Sequence, residues 1–114
     1  MSERTDRVAS LIVALAATFI RNEANPSPLI TVTRADISPD LTRTTVFVSV
    51  FPEDREDDAL IFLARKAGDF RSFLKSEASL KRLPHCTFAI DYGEKHRQKL
   101  DALAQNIEEP ESTG

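Results

Sequence analysis

Cys86 stands beside His85, with His96 further along the chain. A thiol nucleophile needs a base within hydrogen-bond reach and a third group to orient that base. Neighbours at a strand start point to opposite faces, so His85 is badly placed to activate Cys86. Cys86 therefore reads as a small buried hydrophobe. One Cys and two His also lack any zinc-ligand spacing. The acidic run Glu53, Asp54, Glu56, Asp57 and Asp58 lacks the glycine and the terminal glutamate of a calcium loop. Asp36 and Asp40 could pair as catalytic carboxylates, yet Pro39-Asp40 is ordinary turn chemistry. No catalytic constellation emerges, and no enzyme activity, cofactor, metal or small-molecule substrate is expected.

The basic side chains are more informative. Residues 65–82 hold Arg65, Lys66, Arg71, Lys75, Lys81 and Arg82 against Asp69 and Glu77, a net of +4, whereas 53–58 hold five acids against Arg55, a net of −4. The overall charge of −3 hides this polarisation. Arg71 and Lys75 lie one helical turn apart, and Lys81-Arg82 follow where the helix should end. Such a ridge can neutralise phosphates, the main source of sequence-independent affinity for nucleic acid. If the helix breaks at Gly68, the start of its second half adds free N–H groups and a positive dipole end. The alternative is a protein-interaction module that uses the acidic run and binds no RNA.

The 114 residues, 41% hydrophobic and 29% charged, suit one globular domain that buries about two-thirds of its unfolded surface. Three glycines, widely spaced, exclude a dinucleotide fingerprint, a Walker loop and the G-x-x-G clamp of an ordinary KH domain. A single cysteine excludes a disulfide framework. No apolar stretch is long enough to span a membrane, and the first residues do not form a secretory signal. A cytoplasmic monomer is expected.

Helical periodicity covers residues 4–22, with Val8, Leu11, Ile12, Leu15 and Phe19 on one stripe. Alternating β-branched segments at 29–38 and 43–51, joined by a short turn, predict an antiparallel hairpin. In the first of these, Ile30, Val32 and Arg34 fall on one face and Thr31, Thr33 and Ala35 on the other. Residues 59–80 are helical, with Gly68 between two apolar stripes, Leu60, Leu63, Ala64 and Ala67 on one side and Phe70, Phe73 and Leu74 on the other, which predicts a kink or a break into two short helices. Residues 87–90 read as a third strand and 94–106 as a last helix. The domain is expected to span residues 1–107, followed by a disordered acidic tail at 108–114. This order gives an α+β fold with a three-stranded sheet and helices on one face. The third strand must reach the sheet through a crossover.

The order is also that of a type II KH domain, and several blocks carry a closer likeness. They are Arg4-x-x-Arg7-Val8-Ala9-x-x-Ile12; Thr31-Val32-Thr33-x-x-x-Ile37-Ser38-x-Asp40-Leu41; Val46-Phe47-Val48-Ser49-Val50; Gly68-x-x-Arg71-Ser72-x-Leu74; and Leu80-Lys81-Arg82-Leu83-Pro84-x-x-x-Phe88-x-x-Asp91. In this order, from about Arg4 to Leu103, the chain resembles the ribosome-binding factor A family, bacterial factors for small-subunit maturation. The resemblance implies a KH-like type II fold in which an interhelical Ala-x-Gly kink replaces G-x-x-G. It implies the small (30S) ribosomal subunit and its 16S rRNA as partner, with assistance to rRNA maturation as the role. The RNA-facing set would be Arg4, Arg7, Lys66, Arg71, Lys75, Lys81 and Arg82, with Ala67 and Gly68 as the kink. Two departures stand out. The kink reads Lys66-Ala67-Gly68, with a lysine at the first small position. Asn25-Pro26-Ser27 stands where the family usually has Asp-Pro-Arg, which removes one potential phosphate contact.

Overall fold

Val46, Val48 and Val50 alternate with Thr45, Phe47 and Ser49, and this period of two makes residues 43–51 the central strand of a sheet with one buried face. The computed structural model describes residues 3–78, 80 and 82–113, without the side chains of 3, 102 and 104–113. Its elements are α1 (Glu3–Glu23), β1 (Leu29–Ile37), β2 (Arg43–Phe51), a 3-10 turn (Glu53–Arg55), α2 (Glu56–Glu77), β3 (His85–Ile90) and α3 (Tyr92–Thr113). The strand order is β1-β2-β3, with β1 antiparallel and β3 parallel to β2. The hairpin and the crossover through α2 are both as the sequence predicts.

Helices α1 and α2 cover one face of the sheet. Ile12, Ala16, Phe19 and Ile20 from α1 meet Ala59, Leu63, Phe70 and Leu74 from α2 and the three valines of β2 in a single core. Phe70 sits at its centre. Its ring lies 5.3 Å from that of Phe19 and 5.6 Å from that of Phe88, so α1, α2 and β3 share one aromatic cluster. Each such pair adds roughly 0.5–1.5 kcal/mol beyond the area it buries.

Two sequence expectations fail here. Strand β1 carries a bulge at Thr33: Val32 pairs with Val48, and Arg34 already pairs with Phe47. One extra residue reverses every later side chain. Ala35 and Ile37 therefore join Ile30 and Val32 against the core. Arg34 is expelled to the outer face, with its guanidinium 3.9 Å from the centre of the Phe47 ring. The second failure is at Gly68. Helix α2 runs unbroken through it, so there is no helix pair at Ala67-Gly68 and no second helix N-terminus. The two stripes are one: Ala59, Leu63, Phe70 and Leu74 all fall on the buried side, at spacings of four and seven that a continuous helix keeps on one face. Gly68 lies on the exposed side. Residues 108–113, expected as a disordered tail, have helical backbone continuous with α3.

The bulge is held from the far end of β3. Asp91 is 4% exposed. Its Oδ2 accepts the Thr33 hydroxyl at 2.5 Å and lies 3.5 Å from Arg34 Nε. Its Oδ1 accepts the Glu94 N–H at 2.9 Å, capping α3, and its own N–H donates to the Val48 carbonyl. The Thr33 hydrogen bond, helped by the Glu94 N–H and the Arg34 charge, holds the Asp91 carboxyl below the usual carboxylate range against the opposing effect of burial.

Two outcomes follow. A Cβ at Gly68 meets nothing within 4 Å, so Gly68→Ala should stabilise by roughly 0.5–1 kcal/mol and raise the melting temperature; a drop in melting temperature would mean that a kink is needed there. Asp91→Asn keeps a capping side chain and removes the charge. Because the folded-state pKa of Asp91 is depressed, the stabilisation it brings is complete above the unfolded carboxylate value and is lost as pH falls through the folded one. The wild-type protein should therefore melt higher than Asp91→Asn at about pH 6, with the gap closing below about pH 4. A gap that does not change with pH would contradict this role.

Candidate nucleic-acid interface

Ser38 to Thr42 close the β1–β2 hairpin around one carboxylate. Asp40 Oδ1 accepts from Ser38 Oγ at 2.7 Å, Thr42 Oγ1 at 2.7 Å and the Thr42 N–H at 3.1 Å. These donors pull the Asp40 carboxyl down to about 2. The loop holds Leu41 at φ 62°, a left-handed conformation costly for a bulky side chain. Beyond Leu41, the Thr42 carbonyl receives the His85 N–H at 2.8 Å, which brings the start of β3 against the hairpin.

A groove of about 760 Å³ opens at this end of the molecule. Helix α1 contributes Arg4 and Val8, the hairpin contributes Asp40 and Leu41, and the α2–β3 connection contributes Leu80 and Arg82. Two arginines distant in sequence thus flank one cleft whose wall is in part apolar. Arg71 and Lys75 are exposed on the C-terminal half of α2, which ends three residues before Leu80.

The remaining expected residues divide. Arg7 is exposed one turn beyond Arg4 on α1. Lys66 is half-buried, its amine 3.3 Å from Glu23 and 3.9 Å from Asp69, so it ties α1 to α2 and stands apart from the groove. Ala67 is half-buried inside α2, beside the exposed Gly68. Lys81 lies outside the described residues. The residues that sequence reasoning missed are the apolar ones. Leu41 and Leu80 look like incidental loop hydrophobes until the hairpin and the connection meet; the signal available was a bulky residue directly after Pro39-Asp40.

The acidic run lies at the other end of β2, nine residues or about 30 Å away. Among the described residues, three of its five acids meet a cation within the fold. Lys95 of α3 lies 3.0 Å from Glu56 and 3.7 Å from Glu53, and the Glu56 contact pushes the Lys95 pKa up. Arg55 pairs with Asp58 at 2.9 Å. Charge is thus separated along the molecule, with exposed cations toward the hairpin end and the acidic run at the start of α2.

Cys86 is 5% exposed, and burial pushes its thiol up to about 11 against the weaker opposing charge of Arg71. A thiol so protonated and enclosed makes a poor nucleophile. Among the described residues no group of His, Cys, Asp and Glu is arranged to hold a metal ion, and no helix is long and apolar enough to cross a membrane.

The family model described as Ribosome-binding factor A matches residues 4–104. A ribosome-binding factor A from Prochlorococcus marinus is 32% identical over 108 residues, covering 90% of this chain and 88% of the relative. The crystal structure of ribosome-binding factor A from Thermus thermophilus superimposes with a TM-score of 0.68 at 25% identity, over 75% of this chain and 94% of the other. A homology model of the Thermus thermophilus factor, fitted into a cryo-electron-microscopy map of its complex with the 30S subunit, matches with a TM-score of 0.63 at 26% identity, over 71% of this chain and 88% of that one.

Proposed function

Because the chain belongs to the ribosome-binding factor A family, we propose that it is a non-enzymatic assembly factor that binds the immature small ribosomal subunit in the cytoplasm and assists maturation of 16S rRNA. The observation that carries this reading is the convergence of Arg4 and Arg82 on one groove at the end of the molecule opposite the acids; Arg71 and Lys75 are exposed on the C-terminal half of α2, the helix that leads into the connection carrying Arg82. The Thermus thermophilus relative fitted into a 30S complex supports the same partner. Phosphate contacts made by these cations supply affinity and register. A factor of this kind acts by binding one arrangement of the RNA better than another, since a ligand shifts an equilibrium only by its differential affinity.

The competing reading, an interaction module that works through residues 53–58, is disfavoured by the pairing of Glu53 and Glu56 with Lys95 and of Asp58 with Arg55. The two readings respond oppositely to charge changes. The double variant Arg71→Glu/Lys75→Glu alters exposed positions whose effect on folding should stay within about 0.5 kcal/mol each. Its binding to purified immature small subunits should weaken, and the slope of log affinity against log salt should flatten by up to about two units. Replacing Asp54 and Asp57 by Asn and Ser should leave binding unchanged. Loss of binding in the acidic-run variant with full binding by the Arg71/Lys75 variant would overturn the assignment.

A further inference from the structure

We propose that the groove between α1, the β1–β2 hairpin and the α2–β3 connection is a pocket for one unpaired nucleotide within an RNA chain, its base against Leu41, Val8 and Leu80 and its flanking phosphates on Arg4 and Arg82. This rests on the reading of the protein as an rRNA-binding factor and specifies what its basic end recognises.

Three observations carry it. The first is composition. A surface that only tracks a phosphate backbone needs cations, yet this one places Arg4 and Arg82 at a cleft walled by Val8, Leu41, Leu80 and the fully buried Pro84. Its volume of about 760 Å³ is in the range of small-ligand sites, about 300–1,000 Å³. Bases in an A-form duplex are stacked and present only their edges, so an apolar wall has nothing to cover unless the base is unpaired.

The second is Leu41. Glycine or asparagine would occupy φ 62° at far lower cost. The loop nevertheless holds a leucine there, fastened by the hydrogen bonds to Asp40 and by those that Ser38 Oγ accepts from the Thr42 and Arg43 N–H groups. Strain kept in place by surrounding bonds marks a side chain that is needed where it stands, and Leu41 stands in the wall of the groove.

The third is the arrangement of charge. Asp40 makes the hairpin side of the cleft negative, so phosphates are confined to the arginine side and the hairpin side favours a hydrogen-bond donor, such as the exocyclic amine of cytosine. Two arginines from separate elements suit two successive phosphates, which a free mononucleotide does not have.

The test titrates the full chain with a single-stranded cytidine hexamer, with the same hexamer annealed to its complement, and with cytidine monophosphate, following groove resonances by NMR. The single strand should bind, and the duplex and the mononucleotide should each bind at least about tenfold more weakly. Leu41→Gly removes the wall while relieving the backbone, so it should melt no lower than wild type and still lose about tenfold in affinity for the single strand. Leu41→Asn, which tolerates the same φ, should do likewise. Arg4→Glu should weaken binding and reduce the salt slope by about one unit. Equal or better binding of the duplex, binding of the mononucleotide as tightly as the hexamer, or wild-type affinity in both Leu41 variants would overturn the proposal. If millimolar hexamer leaves the groove unperturbed while wild type still binds immature subunits with a steep salt dependence, the pocket is refuted and the rRNA-binding reading stands. If neither RNA nor subunits bind, both fall.

Discussion

The buried carboxylate of Asp91 fixes how the sheet and the last helix meet, because its two oxygens serve three partners on two elements, β1 and α3. It receives the Thr33 hydroxyl from the bulge in β1, faces the Arg34 guanidinium beyond it, and caps α3 through the Glu94 N–H. Without the bulge, the alternation that starts at Ile30 and Val32 would carry Arg34 into the core and Ala35 out of it. A buried arginine in that position would have no carboxylate to meet among the apolar residues of α1 and α2. The bulge instead sends Arg34 to the outer face, over Phe47, and lets Ile37 finish the inner face next to the hairpin. The end of β1 then presents Ile37 to the groove wall, and Ser38 enters the loop directly after it, so the geometry of the hairpin end follows from a contact made at the end of β3.

The separation of charge has a similar local origin. Acids in the first turn of α2 and Lys75 in its last turn both complement the helix dipole, which alone would explain their order along the chain. The tertiary structure adds an asymmetry that the dipole does not require. Glu56 and Asp58 are drawn into pairs with Lys95 and Arg55, which also fasten α3 and the 3-10 turn to the body. At the opposite end, Arg4 and Arg82 line a cleft, and Arg71 and Lys75 are exposed on the C-terminal half of α2. One end uses its charges for internal cohesion, and the other exposes cations at its surface.

Much of this was legible in the residues. The bounds of β2, the antiparallel hairpin, the crossover and the apolar face of α1 follow from periodicity and turn chemistry. What was not legible depends on partners remote in sequence. The bulge at Thr33 requires Asp91, 58 positions away. Its capping role was hinted at by Asp91-x-x-Glu94, a helix-start pattern. Gly68 misled because a glycine between two apolar stripes suggests a break, whereas stripes separated by seven residues coincide on one face of an unbroken helix. Lys66 looked like a phosphate ligand because nothing nearby in sequence announces Glu23 as its partner. The apolar half of the groove was invisible because Val8, Leu41 and Leu80 come together only in the folded chain.

The two ends of the molecule can be told apart by their distance from rRNA in the bound subunit. Single cysteines placed at Ser72, beside Arg71, and at Asp54, in the acidic run, can each carry a hydroxyl-radical-generating chelate in a Cys86→Ala background. Strand scission of 16S rRNA in bound small subunits then reports proximity. The account predicts strong, localised cleavage from position 72 and little from position 54. Strong cleavage from position 54, with none from position 72, would contradict it.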